Sequence, residues 1–425
     1  MKEKNLDALK LEKNSNFQKD NTDSKIALVP FSSYAKINIF FVIALCITTF
    51  DLAIFFYLPF LTDVRNFLKV SESVIQFTFA VNFIGIGFAA IFYGTLSDII
   101  GRRKIILFGI IIFTISSCFI YFAKSLVEVI ILRFFQGVGA GVAWTVGNAV
   151  MHDIFKGKAF EKSIILLHVV IGATFVLSPA IGAYIGNVIG WRNIFLIMGI
   201  ISALAFIYAY FFLPETATKN NIQLTALLRN YLLLCKNSIF RKYLLVKVVM
   251  VAVALVTMSN ISIILRECFH VEVIDCGHLM AMGSLIFVLG GLVCNQLVNH
   301  TTADKLIVIG IAMVFLSSIM ILLWPIILFL PNMTATVLIV LKLPYYFGLA
   351  AIFGNVSHKI VSTIPDLSGS ASALMITTEM IVSSICIKVV AELYNHSVYP
   401  MEIFTLLAAV FCFTLMMNVL INSKN

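Results

Sequence analysis

Five charged side chains interrupt otherwise apolar stretches of the chain and are the first candidates for chemistry. They are Asp51, Arg133, Lys247, Lys342 and Glu379. An ionisable residue inside a membrane segment is costly, and it usually faces a cavity or an oppositely charged partner. A carboxyl group in such a place can hold a proton and release it when a cation approaches. These residues therefore indicate movement of protons or charged solutes through a membrane.

Some of these charges also have a structural interpretation. Lys247 and Lys388 lie near the ends of predicted helices, so both side chains can instead reach the lipid headgroups. Glu379 can form a structural pair with a lysine such as Lys342. Arg133 and Lys342 are the hardest to explain without a cavity or a partner.

Motifs for enzymatic chemistry are missing from the sequence. It contains no GxxxxGK[ST] phosphate loop, no HExxH zinc motif and no CxxC pair. Cys268 and Cys276 share an outer loop, where two free thiols are expected and a disulfide is the alternative. We therefore expect no enzyme activity, no cofactor and no metal, and we expect an ion gradient as the energy source.

The composition places the charged residues in a membrane protein. Of the 425 residues, 60% are hydrophobic and 12% are charged, and the mean hydropathy is +1.01. Soluble domains are about 45–50% apolar and about 25% charged. The apolar runs are long and continuous, which predicts spanning helices and not the alternating strands of a β-barrel. The predicted helices are 37–60, 73–96, 104–122, 127–150, 162–187, 192–213, 243–265, 277–298, 305–329, 333–357, 367–390 and 399–421.

The distribution of basic residues predicts how these helices are oriented. Of the 30 Lys and Arg residues, 21 fall in segments on the side of the two termini and 5 fall on the other side. Because cytoplasmic segments carry such an excess, both termini are expected in the cytoplasm. This bias accounts for the net charge of +9, so no nucleic-acid partner is expected.

A polar stretch in the middle of the chain divides the helices six and six. The expected class is an all-α integral membrane protein with two six-helix bundles. The expected segments are a disordered cytoplasmic tail at 1–36, bundles at 37–213 and 243–421, a central cytoplasmic loop at 214–242, and a tail at 422–425. Residues 222–234 of the loop can form a short surface helix, with Arg229 facing lipid headgroups.

The connection after the second helix carries the strongest motif. From Gly94 to Lys104 the chain reads GTLSDIIGRRK, which resembles the GxLaDrxGRk signature of the major facilitator superfamily and differs only at Ile99. In that signature glycine tightens a turn, and Asp98 is placed to pair with a nearby arginine. The resemblance therefore indicates a gate on the cytoplasmic side.

Helices 4 and 5 carry two further resemblances. RFFQGVGAG, beginning at Arg133, is similar to the second signature of the superfamily, RxxQGxGaa. SPAIGA, beginning at Ser178, resembles the GPxxGG signature of its proton-coupled exporters, with Ser178 and Ala183 replacing glycines. Together with Asp51 eight residues before Pro59, these segments look most like the bicyclomycin-resistance-like branch of twelve-helix drug:proton antiporters. The motifs cover residues 51–216.

This resemblance implies roles for particular residues. Helices 1, 4, 7 and 10 would line a central cavity, which gives the candidate cavity residues Asp51, Phe55, Tyr57, Arg133, Lys247 and Lys342. Asp51 would carry the proton, Arg133 would be its switchable partner, and Glu379 is the reserve candidate. The cytoplasmic gate would comprise Gly94, Asp98, Gly101, Arg102 and Arg103. Pro179 and Gly182 would bend helix 5.

The sequence therefore predicts a monomeric, proton-coupled exporter in the bacterial inner membrane that works by alternating access. Its cargo would be a small organic compound such as a drug, a metabolite or a siderophore. Three cations against two acids in the cavity favour an anionic or zwitterionic substrate. A proton symporter that imports a nutrient is one alternative, and a receptor or scaffold without transport activity is another.

Overall fold

The chain folds as a membrane-spanning helical protein. A computed structural model describes residues 32–155, 157–217, 224–298, 300–324, 333–364 and 367–422, and no strand occurs among them. Twelve helical segments are long and apolar enough to cross a membrane, which confirms the predicted fold class. We number them spans 1 to 12. They are Ser33–Leu68, Glu72–Ile100, Arg102–Phe122, Leu126–Ile154, Leu166–Ile189, Trp191–Phe212, Ser238–Glu267, Val273–Leu297, Ala303–Leu322, Ala335–Thr363, Gly369–Glu392 and Tyr399–Ile421.

Parts of the predicted connecting segments cannot be compared with the structure. Residues 1–31 of the predicted tail, residues 218–223 of the central loop and residues 423–425 lie outside the described residues. The helix of span 5 begins at Gly157, before the apolar part of that span. We call spans 1–6 the N bundle and spans 7–12 the C bundle.

Prolines divide two of the spans into shorter helices. Pro59 lies in a short 3-10 turn of span 1, and Pro344 follows a break at Lys342 in span 10. Proline has no N–H to donate to the helix and clashes with the preceding turn, so each site ends one helix and allows another to begin. The pieces are Ser33–Phe55, Leu58–Phe60 and Leu61–Leu68 in span 1, and Ala335–Leu341 and Leu343–Thr363 in span 10.

Span 4 changes helix type without a proline. An α-helix over Leu126–Val142 passes into a π-helical segment over Ala143–Gly147, and an α-helix resumes over Asn148–Ile154. A π turn accommodates one extra residue, and such segments often lie at functional sites. Here the π segment includes Trp144.

The connection between spans 2 and 3 is shorter than the sequence predicted. Span 2 extends to Ile100, and the turn to span 3 consists of Gly101 alone, with φ of 115°. Residues with a side chain rarely adopt this conformation. Asp98 is therefore a helical residue and not a loop residue, and its carboxylate pairs with Arg102 four positions later at 2.9 Å.

Two ends of the molecule can be distinguished. We call the end with the turn at Gly101, where spans 8 and 9 are also connected, the basic face, because most Lys and Arg residues were assigned to that side. The other end is the opposite face. The surface helix that the sequence predicted in the central loop is present at the basic face as Leu224–Lys236. Its residue Leu234 packs into the core of the C bundle with Phe240 and Tyr243.

Candidate functional site: the space between the two bundles

Ion pairs join the two bundles at the opposite face. Arg65, in the last helix of span 1, pairs with Glu267 at the end of span 7 and, at 2.5 Å, with Glu72 of its own bundle. Arg266 pairs with Asp63 across the same boundary at 3.3 Å. These pairs hold the start of span 2 and the end of span 1 against the end of span 7.

The same cluster contains three potential metal ligands. Side-chain atoms of Glu72, Glu267 and His396 lie within 4.8 Å of one another. The guanidinium of Arg65 contacts both carboxylates, so it already supplies the cation that balances them. The cluster thus functions as an ion-pair contact in this state.

Buried hydrogen bonds lie beneath the ion pairs. Gln76 of span 2 donates to Asn260 Oδ1 of span 7 at 3.3 Å, and its Oε1 accepts from Ser259 at 3.1 Å. Ser262 donates to the carbonyl of Leu58 at the break in span 1, at 2.5 Å. Each of these side chains is almost inaccessible to solvent, so an unmade bond would be costly here.

Two described hydrogen bonds join spans 2 and 11 between the opposite face and about the middle of the molecule. Ser384 donates to the carbonyl of Ala80 at 3.0 Å, and Thr377 donates to the carbonyl of Gly87 at 3.1 Å. Gly94 lies two turns farther along the same face of span 2, and none of the described atoms comes within 4 Å of where a Cβ would sit on it. Gly369 of span 11 has the same open surroundings. Among the described residues, spans 2 and 11 are therefore joined toward the opposite face, whereas Gly94 and Gly369 have no such contact at the basic face.

Spans 5 and 8 meet at the predicted helix-bend motif. Pro179 lies inside the helix of span 5, and a methyl group on Gly277 of span 8 would overlap the Pro179 carbonyl and Ala183. Gly182 packs in the same way against Phe56 of span 1. The small residues of the motif thus permit close contact with one helix of each bundle.

Asp51 is buried in span 1. Its side chain is 3% exposed, Oδ2 has no hydrogen-bond partner, and the indole of Trp144 lies within hydrogen-bonding reach of the carboxyl group. The π segment of span 4 is therefore in contact with the candidate proton carrier.

Arg133 does not lie beside Asp51 in this structure. Its guanidinium is 0% exposed, donates to Gln136 at 2.7 Å, and packs over the rings of Tyr57 and Phe195, with Nη2 unpartnered. Trp144 follows Arg133 by eleven residues in the chain, which corresponds to roughly 16 Å along span 4. Tyr57, predicted as a cavity residue, is buried beneath Arg133 and bonded to Thr78 at 2.9 Å.

A row of phenylalanine rings runs from the N bundle to the C bundle at the level where the bundles separate. Phe55 contacts Phe175 of span 5 at 4.4 Å between centroids, and Phe175 is nearly parallel to Phe287 of span 8 at 6.1 Å. Phe287 then contacts Phe353 of span 10 at 5.8 Å. Phe175, Phe287 and Phe353 are only partly buried. We call these four residues the aromatic row.

Lys247 and Glu379 lie at the C-bundle end of the aromatic row. The ammonium of Lys247 is 4.4 Å from the centroid of Phe353, and it interacts electrostatically with Glu379. Glu379 is 6% exposed, and its Oε2 has no hydrogen-bond partner. Lys247 therefore points into the bundle and not toward headgroups. Lys388, by contrast, lies near the opposite face and pairs with Glu392 at 2.5 Å.

The partner of Lys342 was not predicted from the sequence. Lys342 forms an ion pair with Glu402 of span 12 at 2.7 Å, and both side chains are 0% exposed. Glu402 is the fourth residue of its span, so its position near a helix end gave no sign of burial. The pair is enclosed in the C bundle and does not border the space between the bundles. The predicted excess of cavity cations loses its support, because Lys342 is already neutralised.

Arg133 and Lys342 occupy matching positions in the two bundles. Each is the eighth residue of its span, in span 4 and span 10. The side chain that faces Arg133 from span 6 is Phe195, whereas the side chain that faces Lys342 from span 12 is Glu402. Of these two cations, Lys342 therefore has a carboxylate partner in this structure and Arg133 does not.

The predicted gate residues cluster at the basic face of the N bundle. Arg102 pairs with Asp98 at 2.9 Å and with Asp153 at the end of span 4 at 2.5 Å. Its backbone N–H donates to Glu215 at 2.8 Å. Arg103 donates to the carbonyl of Tyr210 at 2.6 Å. Sequence reasoning missed Asp153, which supplies the second anion for Arg102.

Comparison with known proteins identifies the family. The model described as Major Facilitator Superfamily matches residues 41–386. The chain is 25% identical over 365 residues to the bicyclomycin resistance protein homolog of Haemophilus influenzae, covering 83% of this chain and 88% of that protein. It is 28% identical over 210 residues to multidrug resistance protein D of Escherichia coli, covering 49% and 53% of the two chains.

Solved structures show the same fold. A D-xylose-proton symporter matches with a TM-score of 0.75 at 15% identity, covering 89% of this chain and 97% of that one. A POT family transporter in complex with a thioalcohol-conjugated peptide matches with a TM-score of 0.74 at 12% identity, covering 91% and 95%. The chain belongs to the Major Facilitator Superfamily and is a multi-pass membrane transporter, not an enzyme.

Proposed function

We propose that the chain is a proton-coupled exporter of a small organic compound that works by alternating access in the bacterial inner membrane. The resistance proteins among its relatives support export. The observation that carries the proposal is that Asp51 in the N bundle and Glu379 in the C bundle, both well within their spans, each have a buried carboxylate oxygen, Oδ2 and Oε2, without a hydrogen-bond partner. Movement of the surrounding helices would change the charges near each carboxyl group, and a proton would be bound or released.

The direction of opening follows from the charge bias. The excess of Lys and Arg favours a cytoplasmic basic face, so the present state would be open to the cytoplasm. Substrate would enter between Gly94 and Gly369 and bind at the closed end of that space. Rocking of the bundles would then separate the ion pairs at the opposite face and bring spans 2 and 11 together at the basic face.

The aromatic row supports a particular class of substrate. Its partly buried rings offer an apolar surface that both bundles contribute to. The charges beside it are Asp51 at one end and Lys247 with Glu379 at the other, which leaves one more acid than base. We therefore propose an amphipathic substrate with an aromatic group that is cationic or zwitterionic, whereas the charge count from the sequence favoured an anionic or zwitterionic one.

Asp51 is the proposed proton carrier because no described cation lies beside it, whereas Glu379 already has Lys247 nearby. For Arg133 to act as its partner, span 1 and span 4 would have to shift along each other. The break in span 1 at Leu58–Phe60 provides a place where such a movement can occur.

The test uses proteoliposomes with an imposed proton gradient and a panel of aromatic cations, zwitterions and anions. Asp51→Asn should abolish uphill transport but keep downhill exchange of substrate, because binding and rocking survive while coupling is lost. Glu128→Gln, the same acid-to-amide change at an exposed position at the start of span 4, is the matched control and should keep uphill transport. Full accumulation by Asp51→Asn, with loss in Glu379→Gln, would transfer the role to span 11.

The same vesicles distinguish the alternatives. In inside-out vesicles an exporter releases protons from the lumen when substrate is added, and a pH-sensitive dye reports that release. A symporter would move substrate and protons in the same direction. Absence of flux for every compound, with retained binding, would indicate a receptor.

A further inference from the structure

The surface helix Leu224–Lys236 exposes an unusual combination of side chains. Leu232 is 65% exposed and Leu233 is 45% exposed, and Arg229 and Lys236 are exposed beside them. At 100° per residue these four positions fall within about 100° of the helix circumference. The helix buries Leu234 on the other side, in the core of the C bundle. One continuous face therefore presents two leucines between two cations.

The stretch of sequence that carries this face is entirely positive. Arg241 and Lys242 follow at the start of span 7, and the sequence contains no Asp or Glu from residue 216 to residue 266. Arg241 donates to the carbonyls of Cys235 and Lys236 at 2.8 and 3.2 Å, which fixes the end of the surface helix against span 7. The cations are thus held together and have no acidic neighbour in this part of the sequence to neutralise them.

We propose that the surface helix and the start of span 7 bind anionic lipid headgroups in the leaflet at the basic face. Exposed leucines interleaved with basic residues are the pattern of a helix that lies in the interface, with apolar side chains among acyl chains and cations extended to phosphates. Clusters of four or more Lys and Arg on such a helix attract acidic lipids. The charge of the face and its leucines both match an anionic bilayer surface, whereas a soluble acidic partner would leave the leucines in water.

The chain supplies a reporter for this contact. Of its eight cysteines, Cys235 on the surface helix is the exposed one. An environment-sensitive bimane can be attached there after the partly exposed cysteines have been replaced by serine. These are Cys118, Cys268 and Cys386. The labelled protein is placed in nanodiscs of phosphatidylcholine with increasing fractions of phosphatidylglycerol.

Bimane emission should shift to shorter wavelength as the fraction of phosphatidylglycerol rises. Each basic residue near an anionic surface contributes about 1 kcal/mol, or about fivefold in affinity. Arg229→Gln with Lys236→Gln should therefore lower the affinity of this face for anionic lipid about 25-fold, and the emission shift should be correspondingly weaker. Leu232→Ser with Leu233→Ser should reduce the shift while the charges remain. Lys104→Gln with Lys305→Gln removes the same charge from elsewhere on the basic face and should leave the shift unchanged.

Two results would overturn the proposal. One is an equal emission shift in neutral and anionic nanodiscs, or a Lys104→Gln, Lys305→Gln control that loses as much of the shift as the Arg229→Gln, Lys236→Gln variant. Neither outcome would depend on this face binding acidic lipid. The other is a shift produced in phosphatidylcholine alone by inorganic phosphate or polyglutamate, which would assign the face to a soluble anion. The readout does not involve transport, so it is independent of the proposed function.

Discussion

Replacing Gln76 by methionine should make the opposite face open more often. The side chain of Gln76 is fully buried and bonds to Asn260 and Ser259 across the bundle boundary. Methionine has a similar length but can make neither bond. In the closed state Asn260 Oδ1 and the Ser259 hydroxyl would then be buried without their hydrogen-bond partner. Once the opposite face opens, water can bond to both groups. An unsatisfied buried group costs about 1–3 kcal/mol.

The size of the effect can be worked out from these contacts. Ser259 keeps a second acceptor in the carbonyl of Val256 at 3.1 Å, so Asn260 Oδ1 carries most of the penalty. A net change of about 2 kcal/mol shifts the balance between closed and open forms about 30-fold. The closed form should still predominate if the ion pairs of Arg65 remain intact.

A native cysteine can report this shift. Cys276 of span 8 is 0% exposed and lies beside Ser262 at the bundle boundary. A membrane-impermeant maleimide added at the opposite face should label it only when that face opens. The labelling rate, measured by peptide mapping, should rise about 30-fold in Gln76→Met.

The control removes a hydrogen bond within one bundle. Tyr208→Phe deletes the bond from Tyr208 to Asn38, so it should leave the labelling rate of Cys276 unchanged. If folded Gln76→Met labels at the parental rate, these hydrogen bonds do not hold the face closed and the reasoning is refuted.

Three further substitutions test other contacts. Glu402→Gln leaves Lys342 buried without an anion, so the free energy of unfolding, measured by thermal melting in detergent, should fall by about 3–5 kcal/mol. Lys342→Met combined with Glu402→Leu should largely restore it, and equal melting of the single and double variants would contradict this. Gly94→Val fits the open surroundings of this state but should prevent span 2 from closing against span 11, so substrate binding is kept and turnover is lost. Normal turnover would show that the basic face does not close at Gly94. Asp98→Asn should lower the transport rate more than equilibrium binding, because it weakens the charge-assisted pair with Arg102, and an unchanged rate would remove Asp98 from the gate.

The spans were predictable because each depends on local composition. A run of about 20 apolar residues must form a helix in lipid, whatever surrounds it. Several helices continue past their predicted ends into polar residues. The helix of span 2 was predicted to end at residue 96 but ends at Ile100, because backbone hydrogen bonding continues until Gly101 allows a turn. Hydropathy marks the buried part of a helix and not its last residue.

The partners of the buried charges were not predictable in the same way. Lys342 required an anion, but nothing in the sequence distinguished Glu402 from other acids near helix ends. The separation of Asp51 from Arg133 depends on how far spans 1 and 4 are displaced along each other, and residue spacing within one helix carries no information about that displacement. The gate motif, by contrast, was local, and the Asp98–Arg102 pair lies where the motif placed it.

The π segment of span 4 sets the angular phase between the two ends of that helix. One extra residue turns everything after it by about 100° relative to a continuous α-helix. Before the segment Arg133 faces the interior of the N bundle, and after it Asp153 faces Arg102. If all the residues of this segment wound as an α-helix, Asp153 would rotate by about 100° away from Arg102, although Arg133 would stay packed. Because Trp144 of the same segment contacts Asp51, a change at that carboxyl group has a mechanical route to the basic face as rotation of a helix end.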